Sequence, residues 1–149
     1  MSPPPKEPKG LSKKYDRQIR IWGPHGQARL EAARVCVLGA GPTATETLKN
    51  LVLGGIGSFT IVDCARVSQR DLSNNFFFAA EHLGKCRAEA ATELISELNE
   101  SVRGAYSDSA LEDLVSSRPE FFADFTLVIA TQVRRWPGLG SACGWQERG

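Results

Sequence analysis

The chain has 149 residues, 42% hydrophobic and 23% charged, and its 18 Lys+Arg against 17 Asp+Glu leave a formal charge of +1. That length suits one ordinary domain with a real core, and so balanced a charge excludes a basic nucleic-acid platform or charge-driven attachment to an anionic membrane. No apolar run approaches the roughly 18 residues of a transmembrane helix, and the opening MSPPPKEPKG has no apolar stretch of the kind a signal peptide needs.

Residues 1–14 are rich in Pro and Lys, have little to bury, and are expected to be disordered. Residues 15–22 mix polar and apolar side chains and carry Arg17 and Arg20. Pro24 is expected to open a helix with residues 25–33 behind it, because a first helical turn has no use for the missing N–H. Residues 34–39 (RVCVLG) read as a buried strand, which runs into Gly39-Ala40-Gly41-Pro42-Thr43-Ala44. A helical pattern follows to about Val52, with Leu48, Leu51 and Val52 on its apolar side, and Gly54, Gly55 and Gly57 end it. Residues 58–63 (SFTIVD) form the second predicted strand. Strand, glycine turn, helix and strand together make the parallel unit of an α/β fold.

Residues 66–78 are expected to be mostly loop, with Phe76, Phe77 and Phe78 packed under the sheet. A helix rich in Ala and Glu is expected from Gly84 to about Leu98, then a weak strand over 102–106. A short helix follows over 110–115, with Phe121 and Phe122 near its end, and residues 124–131 (DFTLVIAT) hold the next strand. Beyond Thr131 the periodicity stops, and no further helix answers that strand. The pattern therefore reads as half a fold, or as a fold that a partner completes.

The four cysteines, Cys36, Cys64, Cys86 and Cys143, are widely spaced without a CxxC pair, and the two histidines stand far apart. Neither a zinc or other metal site nor a disulfide framework is expected. The first three cysteines are expected to be buried as small hydrophobes, in a reduced intracellular compartment.

Gly39 and Gly41 follow a strand and precede a helix, where glycine lets backbone approach a phosphate and the helix start favours its charge. Asp63 ends the next strand, the place from which a carboxylate reaches ribose hydroxyls. Ala44 replaces the third glycine of the usual fingerprint, and Pro42 removes one possible phosphate-facing N–H. This pattern alone does not separate NAD, FAD and ATP, so an NAD-dependent Rossmann enzyme stays open at this point. A plain helix start beside a solvent-facing strand end stays open too. No Walker lysine follows the turn.

Several segments together are more specific. Residues 15–23 (YDRQIRIWG), 48–53 (LKNLVL), 55–63 (GIGSFTIVD) and 83–90 (LGKCRAEA) resemble the ubiquitin-activating (E1) or ThiF-like family. Residues 56–63 and 74–78 (NNFFF) most resemble its branch of regulatory subunits serving the ubiquitin-like protein NEDD8. The small-subunit branch that serves SUMO shares the opening motif but fits residues 74–78 less well. The resemblance runs from residue 15 to about 132. It implies an incomplete adenylation domain over 15–132, a Rossmann-like three-layer α/β fold with a mostly parallel sheet, followed by a divergent tail over 133–149.

The resemblance further implies a heterodimer. A catalytic E1 subunit holds ATP and magnesium, adenylates the C-terminal glycine of the ubiquitin-like protein, and then carries it as a thioester. Asp63 matches the family's ribose aspartate. The family's phosphate-binding arginine falls on Asn74, which cannot supply that charge or its fork. Its helix-start lysine falls on Arg87, and its magnesium aspartate falls at about Val133, which cannot bind a metal. Gly39, Gly41, Asp63 and Arg87 would then line a vestigial nucleotide site in a catalytically inactive chain, which holds no cofactor firmly. Arg17 matches the arginine that reaches across the dimer to the partner's ATP, and Arg20 buttresses the same segment. Cytoplasm and nucleus are the implied locations. A truncated, non-functional product is the competing expectation, and it predicts a molten or aggregated chain.

Overall fold

The computed structural model describes residues 14–131. The first helix, α1 (Asp16–Glu31), passes through a break at Gly23, where φ 75° and ψ 170° suit glycine alone. Residues 16–22 are therefore helical as well, and Pro24 opens only the second half of α1. Then come β1 (Arg34–Leu38), α2 (Pro42–Gly54), β2 (Ser58–Val62) and α3 (Gln69–Asn74). After a 3₁₀ turn at Ala80–His82 follow α4 (Arg87–Ser96), β3 (Arg103–Ser107) and α5 (Leu111–Ser117). A second 3₁₀ turn at Pro119–Asp124 leads into β4 (Leu127–Ala130).

The four strands make one parallel sheet in the order β3-β2-β1-β4. Val35 of β1 lies opposite Phe59 of β2 on one side and Leu127 of β4 on the other. Strand alternation sends Val35, Val37, Phe59 and Ile61 to one face, where Leu48 and Val52 of α2 and Ala88 and Ile95 of α4 cover them. Cys36, Leu38 and Val62 point to the other face, which Leu114 of α5 and the flanking Phe121, Phe122 and Phe125 cover. These are the three layers of a Rossmann-like fold. After β3 the chain crosses to the far side of β1, so the order reverses between β1 and β4. Such a reversal opens a crevice beyond the carboxyl ends of the strands, and the glycine turn stands there. Within the described residues β4 is an edge strand, with Leu127 48% and Val128 37% exposed.

Three expectations need correction. Residues 66–78 are mostly loop as expected, although Ser68 and Asp71 form a capping box that starts the short α3 within them. The next helix begins at Arg87, not Gly84. Gly84 takes φ 80°, and Cys86 stays extended in an antiparallel bridge with Arg66. Of the phenylalanine triplet, Phe78 is buried but Phe76 is 90% exposed, since consecutive loop residues cannot all face one core. Cys64 is exposed, two residues past β2, while Cys36 and Cys86 are buried. Burial pushes the Cys36 thiol up to about 12, so it stays protonated and inert. Cys143 and the tail from Val133 lie outside the described residues.

Candidate functional site

Gly39 holds φ 90° at the end of β1, and its N–H donates to the Val62 carbonyl at 2.8 Å. A Cβ on it would lie 2.8 Å from the Thr131 carbonyl at the end of β4. Two independent demands thus require glycine there, the left-handed backbone and the close approach of the neighbouring strand. Gly41 is extended and caps α2, and Pro42 takes the first helical position. Asn75, only 4% exposed, braces the turn from α3. Its Oδ1 lies 3.2 Å from the Thr45 hydroxyl, and its Nδ2 makes a long 3.5 Å bond to the Ala40 carbonyl.

Asp63 is buried, contrary to a solvent-facing strand end. Its Oδ2 accepts from Ala40 N at 2.7 Å and from Arg87 Nε at 2.9 Å, and it lies 2.7 Å from Arg87 Nη2 in an ion pair. Its Oδ1 accepts from Ala65 N at 2.8 Å. Three N–H hydrogen bonds and one ion-pair contact thus meet a carboxylate with about four acceptor positions. The Arg87 fork also spans to Asp71, whose Oδ1 lies 3.1 Å from Nη1. Burial alone would raise the Asp71 carboxyl, but hydrogen bonds from the Ser68 side chain and backbone and the Arg87 charge outweigh it and hold it below its ordinary value. Burial likewise pulls the Arg87 guanidinium down, and the Asp63 and Asp71 carboxylates more than reverse this.

The structure brings Gly39, Gly41, Asp63 and Arg87 together, with Arg87 turned on carboxylates. As arranged, these residues do not fit a nucleotide. Most acceptor positions of Asp63 are already taken within the chain, and the Arg87 charge is offset by two carboxylates. Asn74 is exposed at the end of α3, away from that network. Among the described residues, no group of three or more His, Cys, Asp or Glu side chains is placed to hold a metal ion. Val133 falls outside them.

Arg17 stands elsewhere, exposed in the first turn of α1. Arg20 pairs with Asp16 at 2.8 Å on the same exposed surface. Sequence reasoning missed Asp71 and Asn75 as members of the site. The spacing Ser68-x-x-Asp71 is a capping-box signature and was the available signal for the first. A buried asparagine such as Asn75 carries no periodic signal.

Residues 15–132 match the model of the ThiF family. The chain belongs to the ThiF family. Among curated relatives, the NEDD8-activating enzyme E1 regulatory subunit of Gallus gallus is 56% identical over 120 residues, 80% of this chain and 22% of the relative. The Nedd8-activating enzyme E1 regulatory subunit of Drosophila melanogaster is 50% identical over 134 residues, 89% of this chain and 26% of that relative. The chain thus spans about a quarter of these relatives. Among solved structures, the ThiF-type fold recurs in the ATP complex of the E. coli tRNA N6-threonylcarbamoyladenosine dehydratase, with TM-score 0.72 and 21% identity. That likeness covers 83% of this chain and 51% of the dehydratase.

Proposed function

We propose that this chain is the opening part of the non-catalytic, regulatory half of a heterodimeric E1 enzyme for NEDD8. Its partner is a catalytic E1 subunit, which holds ATP and magnesium and carries out both adenylation and thioester formation. The observation that carries this reading is the Arg87 fork on Asp63 and Asp71. A pocket whose ribose carboxylate and phosphate-side cation are paired with each other is poorly equipped to bind ATP or to offset developing phosphate charge. Relatives named as NEDD8 regulatory subunits at 56% and 50% identity favour this branch over the SUMO one. The occupied Asp63 equally disfavours a nicotinamide enzyme, which uses that carboxylate for its ribose.

In this reading the chain's chemical contribution comes from Arg17. An exposed guanidinium on α1 carries a charge that its own pocket does not use. Delivered across a dimer, it offsets phosphate charge at the partner's ATP and does so only in a correctly assembled complex. Arg20, held to Asp16, supports the same surface. The working location follows the branch, cytoplasm and nucleus, and imaging of the tagged chain checks it.

The deciding experiment is pyrophosphate exchange dependent on NEDD8, measured for the chain alone, the catalytic subunit alone and the two mixed. Exchange is expected only when the catalytic subunit is present, and to rise with this chain. Exchange by the chain alone would sink the reading. Calorimetry with NAD is expected to show no binding.

A further inference from the structure

The reading of Arg17 leaves open what holds it in place, because residues 16–22 are a short helical arm beyond the break at Gly23. The second half of α1 is tied independently. Gln27 is 4% exposed and its Nε2 lies 3.4 Å from the Gly54 carbonyl at the end of α2. The break at Gly23, with φ 75° and ψ 170°, interrupts the helix, and the far end of the arm reaches that tie through Trp22, whose Nε1 donates to Gln27 Oε1 at 3.2 Å. The start of the arm, where Arg17 sits, needs its own anchor.

Tyr15, which caps the arm, supplies one. It is only 4% exposed, and its hydroxyl accepts from Asn99 Nδ2 at 2.9 Å. Asn99 sits in the turn between α4 and β3 and is 2% exposed. Its Nδ2 also donates to the Val52 carbonyl at 2.8 Å, and its Oδ1 accepts from Lys14 Nζ at 2.6 Å and Ser101 N at 3.2 Å. Two donors and two acceptor positions are thereby all engaged. The Tyr15 ring lies against Gly55, where φ is 88° and a Cβ would come within 2.6 Å of the ring and hydroxyl. One glycine thus both ends α2 and makes room for the tyrosine. The ring also forms one wall of a groove of about 120 Å³ bounded by Glu31, Ile56 and Ser101.

We infer that Tyr15, Asn99 and Gly55 form a buried latch that fixes the arm carrying Arg17, so that Tyr15 and Asn99 are positioning residues for the trans contact. The inference rests on the reading of Arg17 given above. Arg17 is two residues beyond Tyr15 in the first turn of the helix, so a tilt of the tyrosine swings the guanidinium directly. A side chain that must meet a phosphate across an interface tolerates little displacement.

The test uses the complex with the catalytic subunit and four variants: Arg17→Ala, Tyr15→Phe, Asn99→Ala, and Tyr15→Phe combined with Arg17→Ala. Two quantities are read, the KM for ATP in pyrophosphate exchange and hydrogen exchange of the backbone amides of residues 16–22. Tyr15→Phe and Asn99→Ala are expected to raise the ATP KM roughly 3- to 10-fold with subunit affinity unchanged. In the Arg17→Ala background Tyr15→Phe is expected to add nothing, because a positioning residue has no effect without the group it positions. Protection of residues 16–22 is expected to fall while that of β1 and β2 stays. A KM unchanged in Tyr15→Phe and Asn99→Ala but raised in Arg17→Ala overturns the latch and leaves the Arg17 reading standing. So does a multiplicative effect in the double variant. Should Arg17→Ala itself leave KM unchanged, the trans reading fails instead. The latch is then judged by exchange alone, and unchanged protection in Asn99→Ala overturns it.

Discussion

Arg87 and Arg17 are the same side chain in opposite settings. Arg87 is 22% exposed, with its fork on two nearly buried carboxylates. Arg17 is exposed on α1, and among the described residues no carboxylate stands within ion-pair distance of it. The pocket at the switch point has turned its charges on one another, and the arm at the start of the fold keeps one charge outward. Residue type says nothing of this division. It follows from where Asp63 and Asp71 sit, one at the end of β2 and one in the cap of α3.

The comparison breaks most visibly if Arg87 is removed. Arg87→Ala leaves two carboxylates close together and short of a cation, and breaking such pairs costs about 3–5 kcal/mol when fully buried. Partial exposure of the guanidinium lowers the expected loss to about 2–3 kcal/mol, measured by urea unfolding. Arg87→Lys should recover part of it, since an ammonium keeps the charge and loses the fork. Acid should act in the same direction. The Asp71 carboxyl is held below its ordinary value in the folded chain, so its contribution is fully present above about pH 4 and is lost as pH falls below that. In Arg87→Ala this acid-dependent loss should shrink, because much of what lowers the Asp71 carboxyl has gone. An unaltered acid profile in the variant would show that Ser68 alone sets it.

Much of the scaffold was legible in the sequence. RVCVL and SFTIV are short apolar runs bounded by glycine turns, and both are strands of the parallel sheet. β3 was fainter because its residues RGAYS lie mostly exposed at a sheet edge, so burial wrote no alternation into them. Asp63 and the glycine turn were found because chemistry at a strand end has a fixed spacing. The resemblance put Arg87 at the same site, but its pairing with Asp63 was not legible, since Arg87 lies 24 residues away and nothing local distinguishes a cation aimed at phosphate from one aimed at carboxylate. Asn99 was invisible for the same reason. Its role is set by Tyr15, 84 residues distant, and only the fold brings them together.

A smaller effect sharpens which part of the network holds Asp71. The Ser68 backbone N–H and hydroxyl donate to Asp71 Oδ2 at 2.8 and 2.6 Å, and the hydroxyl accepts weakly from Asp71 N at 3.4 Å. Ser68→Ala removes the side-chain half of this box and should cost about 1 kcal/mol, as loss of an N-cap usually does. Combined with Arg87→Ala, the two losses should fall short of their sum, because both act on one carboxylate. Additive losses would separate the cap from the ion pair.

The smallest expected effect comes from an ion pair of nearly the same length. Arg20 lies 2.8 Å from Asp16, against 2.7 Å for Arg87 and Asp63. The Arg20 and Asp16 side chains, however, are 76% and 53% exposed, where Arg87 and Asp63 are 22% and 6%. Water solvates the first pair almost as well apart as together, and holding two flexible side chains in one geometry costs entropy. Arg20→Ala should therefore change unfolding free energy by less than about 0.5 kcal/mol, and less still at high salt. Distance alone would rank the two pairs as equals, and desolvation separates them. A loss from Arg20→Ala comparable to that from Arg87→Ala would mean that the outward charges of α1 are held by the fold as firmly as those of the pocket. The contrast between the two regions would then fail at its root.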